Sequence, residues 1–187
     1  MIERTLVLVK PDGVQRAIIG RIISRFEDAG LKVVAIKMSR PDRELAGRHY
    51  IADQKWFEDT GNRTLQSYKE KGIILKESAV ELATRVRNYL IEFLSSGPVV
   101  VMVLEGNEAI SVTRKITGST EPRKSDPSSI RGALSVDSYD LADEKKRAVK
   151  NLVHASEDRA TAEREIGVWF KPNEIMDYKR ADESAMY

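Results

Sequence analysis

Along this 187-residue chain, apolar and polar positions fall into blocks whose periods separate strands from helices. Thr5 to Val9 is a run of β-branched residues and leucines, the mark of a buried strand. It breaks off at Lys10-Pro11-Asp12-Gly13, a turn by composition. Ile18, Ile19, Ile22, Ile23, Phe26 and Ala29 then recur at helical spacing, and Gly30 stands where a helix C-cap glycine belongs. Leu31 to Met38 predicts a second strand, with Val33, Val34 and Ile36 as its apolar set. Pro41 and Asp42 open a helix that runs through Leu45 and Ala46 to His49 and Tyr50. Trp56 to Lys76 mixes polar residues with scattered apolar ones and contains Gly61 and Gly72, which predicts short irregular helices. From Ala79 to Leu94 the pattern is that of an amphipathic helix, since Leu82, Val86, Tyr89, Leu90, Phe93 and Leu94 share a face.

Ser96-Gly97-Pro98 stops that helix, and Pro98 to Leu104 (PVVVMVL) is apolar throughout, as a central strand covered on both faces must be. Glu105-Gly106-Asn107 reads as a turn and Glu108 to Thr117 as a short helix. Gly118 to Gly132 is a long loop with Pro122 and Pro127, and loops of that length are usually functional or disordered. Val136 to Lys150 is highly charged. Leu152, Val153 and His154 form a last strand, and Ser156, Glu157 and Asp158 open a helix ending near Phe170. The tail from Lys171 to Tyr187 is polar with little pattern. Strands and helices alternating in one domain predict an α/β sandwich, and the ferredoxin-like βαββαβ arrangement, a four-stranded antiparallel sheet with helices on its faces, fits the order best. No repeat or linker splits residues 1–187.

Composition narrows the chemistry. Without cysteine there are no disulfides, thiolate nucleophiles or cysteine metal sites. Two histidines far apart in sequence give no metal-ligand spacing. A net charge of +2 argues against wholesale nucleic-acid or membrane binding, while leaving room for several cations to meet one small anion. No apolar run approaches the roughly 20 residues of a membrane span, and the first residues, MIERTLVLVK, look like a strand and not a secretory signal. A soluble cytoplasmic protein is expected.

The stretch NLVHASED, Asn151 to Asp158, puts an imidazole at a strand end just before a helix N-terminus, where free backbone N–H groups suit a phosphate. Taken alone, such a histidine is more often a satisfied core residue. No glycine-rich phosphate loop and no protein-kinase signature occurs, so any phosphate would have to be held by side chains. Lys10, Arg114, Thr120, Arg131 and Asn151 are the candidates, each with an ordinary surface or turn reading as well. Glu165 pairs with a helix neighbour or else contacts the imidazole or Ser156 and fixes the tautomer.

KPDGVQR at the first strand end, HY after the second, SGPVV before the third, then IRG, NLVHAS and EREIGVWF come in the order found in nucleoside diphosphate kinases, and the chain resembles that family over most of its length. The resemblance implies ping-pong transfer of a γ-phosphate, from a nucleoside triphosphate such as ATP to a nucleoside diphosphate, through a phosphohistidine on His154. Lys10, Tyr50, Arg114, Thr120, Arg131 and Asn151 match the family's nucleotide-binding positions, and Ser156 and Glu165 the pair supporting the histidine. Gly13 to Arg16 completes the N-terminal motif, and Pro122 falls in a loop that builds subunit contacts. Mg²⁺ is implied as cofactor, carried mostly by the nucleotide and water, and a homo-oligomer, a hexamer first, as the assembly.

The chain also departs from the common pattern. Glu157 stands where aspartate is usual, near the metal-bound phosphates, and reaches a metal only through water. The aromatic residue that stacks on the base is best assigned to Trp56, with Phe57 next. Motif spacing implies roughly 30 additional residues around 58–88 and about ten around 137–147, in a family whose connections are short. Neither segment carries a chemical motif. A non-catalytic nucleotide-binding or scaffold protein is the alternative, although so many site residues retained together argue against it. A nucleic-acid binder is disfavoured by 6% aromatics.

Overall fold

The computed structural model describes residues 1–186; Tyr187, the end of the expected polar tail, lies outside the described residues. Four strands, β1 (Ile2–Val9), β2 (Lys32–Ser39), β3 (Val99–Asn107) and β4 (Val153–Ala155), form one sheet in the order β2-β3-β1-β4, with every neighbouring pair antiparallel. Among the described residues ten helices connect and flank them: α1 (Pro11–Gln15), α2 (Ile19–Glu27), α3 (Arg43–His49), α4 (Gln54–Glu70), α5 (Ala79–Ser95), α6 (Ala109–Thr117), α7 (Ile130–Leu134), α8 (Tyr139–Glu144), α9 (Arg159–Trp169) and α10 (Glu183–Met186). This is the expected ferredoxin-like topology. Among the described residues no helix is long and apolar enough to cross a membrane.

The two-residue period of the central strands builds two cores. Val7, Val9, Val100, Met102 and Leu104 point to one face and meet Ile22 and Phe26 of α2 and Ala109 of α6. Leu6, Leu8, Val99, Val101 and Val103 point to the other and meet Ala46 of α3, Ile91 and Leu94 of α5 and Trp169 of α9. Each fully buried leucine or phenylalanine contributes about 1.5–3 kcal/mol, so the two sheet faces supply most of the drive to fold. Both helix sets are needed because β1 and β3 are apolar on both sides.

Several local expectations need correction. Lys10 to Gly13 is not a plain turn: Pro11 opens the short helix α1, where its missing N–H costs nothing. Glu105, Gly106 and Asn107 are not a turn either. They continue β3, because β1 starts early enough for Ile2 and Glu3 to pair with Asn107 and Gly106, and Arg4 bonds Glu105 at 2.8 Å. The loop from Gly118 contains a 3-10 turn at Pro122–Lys124 and leads into α7. Pro122 itself is buried. The helix expected from Ser156 begins at Arg159, capped by Asp158, which accepts the Thr161 N–H at 2.8 Å. Ser156 turns inward. The tail is laid against β2, Met176 donating its N–H to the Val34 carbonyl at 2.8 Å and Tyr178 its hydroxyl to that of Val33 at 2.9 Å.

The largest correction concerns α4, one continuous helix of 17 residues instead of short irregular pieces. Asp53 caps its start by accepting the Trp56 N–H at 2.7 Å, and Gly72, at φ +73°, ends it. Gly61 does not break it. α4 packs on α5, and at Gly61 the two backbones come so close that a β-carbon there would sit 2.0 Å from the Ala79 carbonyl oxygen. The glycine is a spacer between helices and not a stop signal. Ser78 and Glu81 close a capping box at the start of α5 directly beside this contact. Gly61→Ala, which raises helix propensity, is therefore expected to lower stability by roughly 1–3 kcal/mol through the forced separation of α4 and α5. Urea denaturation of the two proteins measures it, and an unchanged or raised midpoint would contradict the close-packing reading.

Candidate active site

β4 is only three residues long, and its placement sets the site. His154 pairs with Leu8 of β1. Just before it, Leu152 has φ +70°, a left-handed conformation that a branched side chain rarely adopts. Both of its backbone groups are taken by the end of β1. The Lys10 N–H donates to the Leu152 carbonyl at 2.7 Å, and the Asp12 carboxylate accepts the Leu152 N–H at 3.1 Å. The other oxygen of Asp12 accepts the Gly13 N–H at 3.0 Å. A side chain at Gly13 would press on Val9. The sequence KPDG thus shapes the segment that presents the histidine.

Around His154 the side chains are ordered by a buried carboxylate. Glu165, from α9 and 2% exposed, has one oxygen 2.8 Å from Nε2 of His154, and the same oxygen accepts the Ser156 hydroxyl at 2.7 Å. Burial by itself would raise the Glu165 carboxyl, but His154, through charge and hydrogen bond, and then His49 and Ser156 outweigh it and hold the group at about 2. It is an anion, so it accepts the proton of Nε2 and leaves Nδ1 as the ring nitrogen with a free lone pair.

His49 lies beneath, with its ring 4.5 Å from that of His154, edge to face. Trp169 donates its indole N–H to Nδ1 of His49 at 3.3 Å, which places the His49 proton on Nε2. Burial, and next the neighbouring His154, keep His49 well below its ordinary value and so neutral. His49, His154 and Glu165 each offer one ligand atom, all within 4.8 Å of one another, a cluster compatible with metal coordination.

A cavity of ≈ 620 Å³ opens over His154. Lys10, Arg114, Thr120, Arg131 and Asn151 line it, so the geometry brings together what the sequence could only enumerate. Tyr50, Trp56 and Glu157 line it as well, and Phe57 does not. Lys10 is buried and donates to Oδ1 of Asn151 at 2.7 Å, while Asn151 donates Nδ2 to the Thr120 carbonyl at 2.8 Å. Burial, then the Arg131 charge, lower Lys10 to about 7. Arg131 is a clamp: Nε, Nη1 and Nη2 donate to the carbonyls of Asn151 (3.2 Å), Gly118 (2.9 Å) and Val153 (2.8 Å). Burial brings it down to about 10. Arg114, on α6, is exposed at the rim. The Tyr50 hydroxyl is buried without a hydrogen-bond partner among the described residues, and burial pushes its ionisation up.

Sequence reasoning missed three contributors. His49 stands in the quoted HY pair but was given no role, and its pairing with Trp169 across 120 residues leaves no local signal. Arg164 donates to the His49 carbonyl at 3.2 Å and to Glu165 at 3.4 Å, although its position next to Glu165 was the only hint. Asp12 was read as a turn former.

The family model for nucleoside diphosphate kinase matches residues 3–81 and 79–175. A nucleoside diphosphate kinase of Pyrobaculum aerophilum is 44% identical over 181 residues, 94% of this chain and 99% of that one. One of Borreliella burgdorferi is 42% identical over 187 residues, 100% of this chain and 98% of its own. Among solved structures, an NDP kinase from Pyrobaculum aerophilum superposes with a TM-score of 0.91 at 43% identity, covering 95% of this chain and 100% of that one. A Borrelia burgdorferi nucleoside-diphosphate kinase, a transition-state mimic with bound vanadate and ADP, superposes with a TM-score of 0.81 at 41% identity, covering 98% and 96%. Likeness of sequence and backbone at this level, from end to end of both partners, means that the chain belongs to the nucleoside diphosphate kinase family.

Proposed function

We propose that the protein moves a γ-phosphate from a nucleoside triphosphate to a nucleoside diphosphate by two in-line transfers through His154. The observation that carries this reading is the tie between Glu165 and Nε2 of His154, which leaves Nδ1 as the nucleophile at the wall of a cavity holding Lys10, Arg114 and Arg131. In the first transfer the Nδ1 lone pair forms a bond to the γ-phosphorus while the bond from that phosphorus to the β-γ bridging oxygen breaks. The electron pair leaves with the nucleoside diphosphate. In the second, a terminal oxygen of another nucleoside diphosphate takes the phosphoryl group and the electron pair returns to Nδ1. Phosphoryl transfer asks mainly for position and for positive charge about the moving oxygens. Lys10 and Arg114 bring that charge, as do the two N–H donors of Arg131 left after its three carbonyl bonds. The transition-state mimic with vanadate and ADP in the Borrelia burgdorferi relative supports a nucleotide in this cavity.

Asn151 and Thr120 orient Lys10 and the phosphate wall, and Trp56 is the base platform. Mg²⁺ is a hard cation that takes oxygen ligands in octahedral geometry, so two imidazoles and a carboxylate already bonded to His154 and Ser156 are the wrong donors for it. The exposed Glu157 carboxylate at the cavity edge fits a second role, holding water on a Mg²⁺ carried by the nucleotide phosphates. When bound, that ion neutralises charge on the β- and γ-phosphate oxygens. We propose further that residues around 58–88 and 137–147 are additions within one domain, and that the chain forms a homo-oligomer, a hexamer first. The outer strand β2 supports self-association, since its Ile36 (49%) and Met38 (60%) are exposed apolar residues.

Incubation with γ-labelled ATP is expected to place an acid-labile, base-stable label on the protein that chases onto added nucleoside diphosphate. His154→Ala should lose both label and turnover while keeping its circular dichroism and Tm, and substantial remaining exchange would overturn the assignment. A second expectation follows from Lys10. With its pKa at about 7 in the free protein, it is mostly neutral at pH 8. Bound phosphates favour the ammonium, so nucleotide binding takes up close to one proton at pH 8 and none below about pH 6, where the lysine is already charged. Calorimetry in two buffers of different ionisation enthalpy reads the uptake. Lys10→Met should abolish it, and an equal uptake in that variant would assign the proton elsewhere.

A further inference from the structure

The two added segments meet each other. Lys71, one residue beyond α4, has Nζ 2.5 Å from Oδ1 of Asp140 on α8, and burial, then the Asp143 carboxylate one turn along, raise the ionisation of Tyr68. The second oxygen of Asp140 takes Arg123, in the 3-10 turn of the long loop, at 3.2 Å. α8 is itself fastened to that loop. The Tyr139 N–H donates to Glu121, next to Thr120 in the chain, at 3.2 Å. Just ahead, Asp137 receives both terminal nitrogens of Arg147, at 2.6 and 3.0 Å, and the Lys150 N–H at 2.6 Å.

These contacts join opposite walls of the cavity. α4 packs mainly on α5 and carries Trp56 near one end, with Tyr68 and Lys71 at the other. Across the cavity, Thr120 holds Asn151, which holds Lys10. We infer that Lys71 with Asp140 forms a clasp that sets the gap between the base wall and the phosphate wall, making these two positioning residues for nucleotide binding that take no part in phosphoryl transfer. The inference rests on reading the cavity as the nucleotide site. It gives the two additions a joint purpose that neither shows alone. Lys71 and Asp140 are 34% and 48% exposed, so solvent screens the pair and the clasp opens easily. Holding α4 in place beforehand spares the nucleotide the cost of ordering it.

Charge reversal tests it. Lys71→Glu sets two acids face to face, and Asp140→Lys opposes both Lys71 and Arg123. Each single variant is expected to raise KM for nucleoside di- and triphosphates about two- to five-fold with kcat nearly unchanged, the size of effect that surface pairs command. The double variant should return toward wild type. Unchanged KM in these variants overturns the clasp, as does a double variant no better than the worse single one or a fall in kcat alone. Histidine labelling at saturating ATP is retained throughout if the clasp only positions. Its absence from the unmodified protein would instead count against the proposed function.

Discussion

Leu152 is the point on which the site depends. A non-glycine residue in the left-handed region costs on the order of 1–2 kcal/mol, and nothing local in the sequence Asn-Leu-Val offsets that. The Lys10 N–H and the Asp12 carboxylate do, from the end of the neighbouring strand β1. The kink they enforce turns the chain so that Asn151 meets the Lys10 ammonium before the kink and His154 enters the sheet after it. Arg131 then locks the same segment from the loop side, through carbonyls on both flanks of Leu152. A three-residue strand with so little pairing of its own would otherwise fray. Positioning the nucleophile is thus work done by β1, a central strand of the sheet, through its first residues beyond the sheet.

The same residues carry the electrostatics. With no phosphate loop, positive charge must be held close to the nucleophile by side chains, and in this protein two of them are buried. Burial works against charge, which is why Lys10 and Arg131 are both lowered. An anion beside these cations offsets the cost of their burial. The cations therefore favour a bound phosphate more strongly than the same groups would on the surface, where water already satisfies them. The apolar cores on the two sheet faces supply the stability that permits it.

Much of this was legible in the sequence and some was not, for identifiable reasons. Periodicity found all four strands and helices α2 and α5, because β1 and β3 are buried on both faces and α2 and α5 on one. Motif order brought Lys10, Arg114, Arg131, Asn151 and His154 together before any coordinate did. Gly61 misled, since its role is set by Ala79 on the next helix. Glu105 to Asn107 misled in the same way, since a turn-like composition is overruled when β1 offers it a partner. His49 stayed silent because its partners, Trp169 and Glu165, lie more than a hundred residues away. In each case the deciding contact is tertiary, and a local pattern holds no record of it.

The carboxylate at the centre explains why His49 is kept neutral. In the proposed transfer Glu165 faces the imidazole of His154 as an anion, and the imidazole gains positive charge as the bond from Nδ1 to phosphorus forms. Their attraction therefore grows along the reaction path, and only an interaction that strengthens toward the transition state speeds the chemical step. Seclusion from water makes that growth large, because little solvent screens it. A protonated His49, with Nδ1 only 4.0 Å from the other Glu165 oxygen, would satisfy the anion in advance and weaken the gain. Burial and the neighbouring His154 prevent this, and the indole N–H of Trp169 occupies that nitrogen. Ser156 acts differently: its hydroxyl brings no net charge, so it fixes where the carboxylate points without spending what His154 will draw on. Histidine, glutamate and serine are the visible parts of the nucleophile, and the buried His49–Trp169 pair is what keeps their charges unbalanced until phosphate arrives.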